Sequence, residues 1–274
     1  MLRFHKFHQD LFGPVPARDA YNKPGPGKGW PEECPPIRAA NSFGFDILAN
    51  FDITFTFARG KWSALPDNTV ESDFNYSGDE AGDETGDDTG DDAGDAGADD
   101  AGDMSGEGSP LFQQYAWFWE KGQKLPHPIS DNVYEVIKHQ VKISSFLYLQ
   151  TDPNELLIVG ELPNQRKSWR AVSALIDTDW YPASYPWHAV IELDPKAKSI
   201  TIEKGEPIAR LLPVRRDTYF ARAMDGSEFM SFFDRGQSWI EKYGKSHEAA
   251  DASTRDITRT YVKQQIRSKF VVMD

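Results

Sequence analysis

Cysteine is all but missing: Cys34 is the only one in 274 residues. A single thiol excludes an intramolecular disulfide framework and any zinc site built on several thiolates. Long apolar runs are missing too. No stretch approaches the 18 apolar residues of a membrane-spanning helix, and the opening Met1-Leu-Arg-Phe-His-Lys-Phe-His8 has no apolar core of a secretory signal. The expectation is a cytoplasmic protein without a membrane partner. An excess of positive charge is also absent. The chain carries 30 Lys and Arg against 43 Asp and Glu, a formal net charge of −13. Thirteen of those acids fall between Gly78 and Glu107, where there is no basic residue, and the remainder balances at 30 against 30. A whole-protein basic surface for nucleic acid is therefore excluded. No phosphate-cradling glycine loop occurs either, because Pro24-Gly-Pro-Gly-Lys-Gly29 has neither the P-loop spacing nor a helix pattern after it.

Aromatic residues are abundant, with 8 Trp, 10 Tyr and 17 Phe. They supply core volume and favour strands, and 18 prolines favour turns over long helices. The first 40 residues read as irregular because seven prolines interrupt them. Ile53, Phe55 and Phe57 alternate with Asp52, Thr54 and Thr56, the pattern of a half-buried strand. Tyr115, Trp117 and Trp119 share one face of a short strand. Strands are expected also within Val133 to Leu149, Leu156 to Val159, Val172 to Ile176, His188 to Leu193, Ser199 to Glu203 and Ile208 to Leu212. Short strands at regular spacing predict a mainly β chain, a single antiparallel sandwich or barrel-like domain over residues 1–225.

That domain is interrupted at 78–107. Glycine recurs there every fourth residue from Gly78 to Gly94, each followed by aspartate. With no apolar surface to bury, this acidic insert is expected to be disordered, a linker or a docking segment for a basic protein partner. Residues 226–274 are expected to be helical. Phe229, Phe232, Phe233, Ile240 and Tyr243 form one apolar stripe, and Ile257, Tyr261, Val262, Ile266 and Phe270 form a second, capped by Ser253 or Thr254.

Three stretches carry a family likeness. Cys34-Pro-Pro-Ile-Arg-Ala-Ala-Asn-Ser-Phe-Gly-Phe-Asp46, Asp177-Thr-Asp-Trp180 and Lys204-Gly-Glu-Pro-Ile-Ala-Arg-Leu-Leu-Pro213 resemble, in order, the blocks of a bacterial family known as domain of unknown function 6065. The likeness spans residues 30–214 without the acidic insert. Phe45 departs from it, where the family more often has tryptophan. It implies a β-rich single domain and no particular activity.

Two groups of residues could carry chemistry. Asp177, Asp179, Trp180, Trp187 and His188 combine aromatic walls with two carboxylates that would face one side of a strand. They could share a proton, hold a cation or line a ligand pocket. Proline-rich turns with capping aspartates and core tryptophans give the same pattern without a site. The second group is metal-like: His8-Gln-Asp10 matches half of a facial triad, and His127 or His188 would complete it around a divalent cation. Exposed terminal histidines give that pattern as well. Arg210 suits an ion pair with Glu206 or an anionic ligand. Three functions remain open: a small-molecule-binding β domain, in one form accessory to a biosynthetic enzyme, a metal-dependent enzyme of the non-haem iron type, and an interaction protein acting through the acidic loop.

Overall fold

Side chains that alternate along a strand sort themselves between core and solvent, and the 53–58 strand shows this directly. In the computed structural model Ile53 and Phe55 are buried while Thr54, Thr56 and Phe57 are not. The structure describes residues 1–18, 35–66, 69–76, 109–124, 128–181, 185–246 and 255–256. The acidic insert, Cys34, His127 and residues 257–274 lie outside them.

The protein is mainly β and its sheets are antiparallel. One sheet has five strands in the order Ala174–Ile176, Glu155–Gly160, Pro207–Arg215, Phe45–Leu48 and Val15–Pro16. A second has four, Trp169–Ala171, His188–Leu193, Gln140–Ser144 and Ala116–Phe118. A third has three, Ser199–Ile202, Ile53–Ala58 and Lys61–Leu65. Two further pairs join Leu2–Lys6 to Leu147–Thr151 and Thr69–Tyr76 to Ser109–Gln114. Among the described residues no sheet closes into a barrel. Residues from all three sheets share one core: Ile47, Leu157 and Leu211 from the first, Val141, Ile143 and Ile191 from the second, Phe55, Ile200 and Ile202 from the third. The acidic insert leaves and re-enters this framework at a single point, since Tyr76 and Ser109 are paired across their hairpin.

Several sequence expectations shift. The N-terminal region is not wholly irregular: Leu2–Lys6 is a strand, and Pro35–Asn41 is a short helix. Proline opens that helix without penalty because the first turn has no use for its N–H. Within 133–149 the first part is helix Asp131–Ile137, where the Ser130 side chain accepts from the Val133 amide. Strands Gln140–Ser144 and Leu147–Thr151 follow. Tyr115 does not share a face with Trp117. It precedes the strand and turns into the core, stacked on Phe146 at 5.8 Å.

Helix Gly226–Tyr243 forms as expected, closed at its start by a capping box between Asp225 and Glu228. Its apolar stripe is not buried: Phe229, Phe232, Phe233 and Tyr243 are exposed, and no residue of the helix is buried. The second expected helix lies mostly outside the described residues, but Arg255–Asp256 pair as a strand with Lys245–Ser246.

Arg210 explains two of the three family-like blocks as packing. It stands directly across from Asp46 in the five-stranded sheet, and its Nε donates to Asp46 Oδ1 at 2.6 Å. Its other nitrogens donate to the carbonyls of Ala40, Asn41 and Phe43 at 2.9, 2.9 and 2.6 Å. The ion pair is buried, as are Asn41 and Gly44 of the loop, so a planar guanidinium satisfies a turn that would otherwise leave carbonyls unbonded. Arg210 does not pair with Glu206, which goes to Lys167 at 2.5 Å. The loop can come this close only because residue 44 is glycine. Its φ is +93°, and a Cβ there would lie 2.4 Å from Leu212 Cδ2 and 2.5 Å from the Leu211 carbonyl. Gly44→Ala is expected to lose about 1–3 kcal/mol to backbone strain alone, with the clash added, as read by urea denaturation. A loss under about 0.5 kcal/mol would show that the loop is not held against the strand.

Candidate functional site

On a sheet with one face in the core, the outward positions are normally polar. The four-stranded sheet departs from this. Ala116 and Phe118, Val141 and Ile143, Ala189, Ile191 and Leu193 all pack in or against the core. The alternate positions place Trp117, Lys142 and Val190 side by side, paired across three strands. His188, paired with Ser144, sits one step along the same face.

A cleft of about 630 Å³ opens there. Its walls include Trp117, Trp119, Tyr185 and Trp187, with Lys142 and His188 among them. Trp117 meets the His188 ring edge-on at 4.5 Å, and Tyr185 lies 5.8 Å from His188 and 6.5 Å from Trp187. Lys142 Nζ lies 4.2 Å from the centre of the Trp119 ring, a cation–π contact. Gln113 Nε2 and His188 Nε2 are 3.3 Å apart. The buried Trp187 indole N–H has no hydrogen-bond partner among the described residues.

Burial sets the charges in this cleft. It drives the His188 pKa down to about 4, with a smaller push from Lys142, so the imidazole is neutral near pH 7. Burial also lowers the Lys142 pKa. Removing an ammonium from water disfavours its charged form.

The sequence-derived ligand group is divided by the structure. Trp187 and His188 belong to the cleft just described, whereas Asp179 and Trp180 line a separate one of about 410 Å³ beside Arg3, His5 and Tyr148. Asp177 and Asp179 are engaged by one side chain of the same chain. Both reach Arg216, at 2.5 and 2.8 Å, and the hydrogen bond from Arg216 holds the Asp177 carboxyl below its ordinary pKa. They lie in a turn beyond strand Ala174–Ile176, where Asp179 also accepts from the Asn154 amide at 3.2 Å. The two clefts are linked by aromatic contacts: Tyr181 lies 6.1 Å from Trp180 and 6.1 Å from Trp187.

The metal-like pattern is looser. The strand ends at Lys6, so His8 and Asp10 do not project from one strand face. They curl together instead, with His8 Nδ1 accepting from the Asp10 amide at 3.2 Å and lying 3.8 Å from its carboxylate. His127 is outside the described residues, and His188 is a wall of the aromatic cleft. Among the described residues no three His, Cys, Asp or Glu side chains gather in a group able to hold a metal.

Sequence reasoning missed Lys142 and Gln123, which line the cleft, and Gln113, which reaches His188. Lys142 carries a partial signal, a polar residue alternating with Val141 and Ile143. Its importance lies in the strand pairing that sets it beside Trp117. No helix among the described residues is long and apolar enough to cross a membrane.

Compared with known proteins, the chain matches no family model and no curated sequence.

Proposed function

We propose that the chain is a small-molecule-binding β domain whose ligand occupies the aromatic cleft on the outer face of the four-stranded sheet. The observation that carries this reading is the grouping of Trp117, Trp119 and Tyr185 outside the core, with the core-packed Trp187 closing the wall behind them, around Lys142, His188 and Gln123. Structural stability alone would place such rings in the core, where they exclude more water. A concave aromatic wall with a few oriented polar groups is the usual make-up of a ligand site, and about 630 Å³ falls within the ordinary range for one.

A panel of neutral and acidic aromatic fragments, screened by ligand-observed NMR, tests the reading. Hits are expected to quench tryptophan fluorescence. Trp187→Ala and Trp119→Ala are each expected to weaken them by at least about tenfold. Hits that bind both variants with unchanged affinity would place the ligand elsewhere. No binding to the wild-type chain by any fragment would remove the reading. An accessory role beside a biosynthetic enzyme suits a binding domain of this kind.

A further inference from the structure

An aromatic enclosure ordinarily suits a cation, because ring faces are electron-rich. Here that position is already filled from within. Lys142 rises from the centre of the sheet face, between Trp117 and Val190, and its Nζ lies over the Trp119 ring. A second cation would meet an ammonium at close range, so the cleft is closed to quaternary amines and similar ligands.

Among the described residues the same ammonium has no anion to answer it. Among the described residues no carboxylate comes within 4.0 Å of Lys142 Nζ. Glu192, two residues along the strand from Val190, is taken by Arg170 at 2.5 Å. Asp177 and Asp179 are taken by Arg216. His188 is neutral near pH 7 and adds no second positive charge. The cleft therefore holds one positive charge against aromatic walls, partly withdrawn from water. An ion pair formed in such surroundings is stronger than the same pair in solvent, whereas a neutral ligand would leave the charge unanswered.

We propose that the cleft selects a flat aromatic acid, its ring against the tryptophan walls and its anionic group on Lys142 Nζ. The assignment rests on the cleft being a ligand site and adds the charge of the ligand to it. The chemistry required is an anion on an aromatic ring, which either a carboxylate or a phosphate monoester supplies.

Isothermal titration calorimetry on the full chain at neutral pH and low salt separates the cases. The probes are indole-3-carboxylate, its uncharged carboxamide, and phenyl phosphate beside phenol. At least one acid is expected to bind about tenfold or more tightly than its neutral counterpart, and which pair shows the difference identifies the anion. Lys142→Gln is expected to abolish that preference by weakening the acid about tenfold or more relative to its neutral counterpart, and Lys142→Arg to retain it. Equal binding of both acids and their neutral counterparts, or a preference that survives in Lys142→Gln, overturns the assignment and leaves the cleft as a site for neutral aromatics. Absence of binding by all four probes overturns it as well, while the cleft as a ligand site then stands or falls on the wider fragment panel and its tryptophan variants. If Lys142→Gln fails to fold, the wild-type comparison of acid with neutral probe decides alone.

Discussion

Arg210→Ala is expected to destabilise the protein by about 3–5 kcal/mol, the usual loss when one partner of a buried ion pair is removed. Domains of this kind have about 5–15 kcal/mol in total, so the variant would be close to unfolding at physiological temperature. The expected size follows from how many groups Arg210 serves. Its removal leaves the buried Asp46 carboxylate without its cross-strand partner. It also leaves the carbonyls of Ala40, Asn41 and Phe43 without the donor that now reaches each of them. Burial already pushes the Asp46 carboxyl above its ordinary pKa, with Arg210 opposing that shift. The bare carboxylate would therefore be expected to take up a proton rather than stay charged.

Arg210→Lys should recover little, because one ammonium cannot spread donors over a carboxylate and three carbonyls in the plane of a guanidinium. The double variant Arg210→Met with Asp46→Leu separates the two contributions. It removes both charges and should regain part of the stability, the remaining deficit measuring the loop carbonyls. Urea denaturation of the three variants decides the matter. A loss under about 1 kcal/mol for Arg210→Ala would mean that water or a rearranged loop satisfies these groups.

The second large effect is a pH dependence. The unfolded chain holds His188 with an ordinary pKa of 6.5, and the folded chain holds it at about 4. Above pH 6.5 the ring is neutral in both states and takes nothing from stability. As the pH falls below 6.5 the unfolded chain binds a proton that the folded chain refuses, so the equilibrium moves towards unfolding until the folded ring also protonates near pH 4. At 1.36 kcal/mol per pKa unit, the whole loss comes to about 3 kcal/mol, most of it present by about pH 4.5. Many carboxylates titrate in the same window, so the quantity to read is a difference. Unfolding free energies of the wild type and His188→Gln should diverge between about pH 7 and about pH 4.5, the wild type falling more steeply. Parallel profiles would show that His188 is hydrated in the folded protein. The cleft would then carry a second positive charge in mild acid.

Both predictions concern residues that the sequence marks unequally. His188 stands at the head of His188–Leu193, a strand whose bounds were evident from alternation and flanking turns. Its chemical character was not, because nothing local says that Trp117 and Tyr185 will enclose the ring. Arg210 was visible only as a charged residue in an apolar run. Its partner Asp46 lies 164 positions away, and Glu206, four residues away, was the natural sequence choice. The sheet decides otherwise. Strand pairing sets Arg210 directly opposite Asp46, while Lys167 engages Glu206.

The carboxylates of the 177–180 turn show the same limit in reverse. Their two-residue spacing was legible, and both do reach one cation. That cation is Arg216, just beyond strand Pro207–Arg215, which no spacing rule connects to them. Helix Asp131–Ile137 was misread as strand because Val133 and Ile137 belong to either pattern over so short a run.

What the sequence determined by itself is the local order of the chain: mainly β, many short strands, turns at proline, glycine and asparagine, and a helix after residue 225. These follow from backbone sterics and from period-two alternation, which act between neighbours. The tertiary structure decided which outward positions lie beside one another. Trp117, Lys142, Val190 and His188 come from three strands and meet only through register. The withdrawal of Lys142 and His188 from water exists only once those strands are paired, because desolvation depends on what surrounds a side chain and not on what precedes it in the chain.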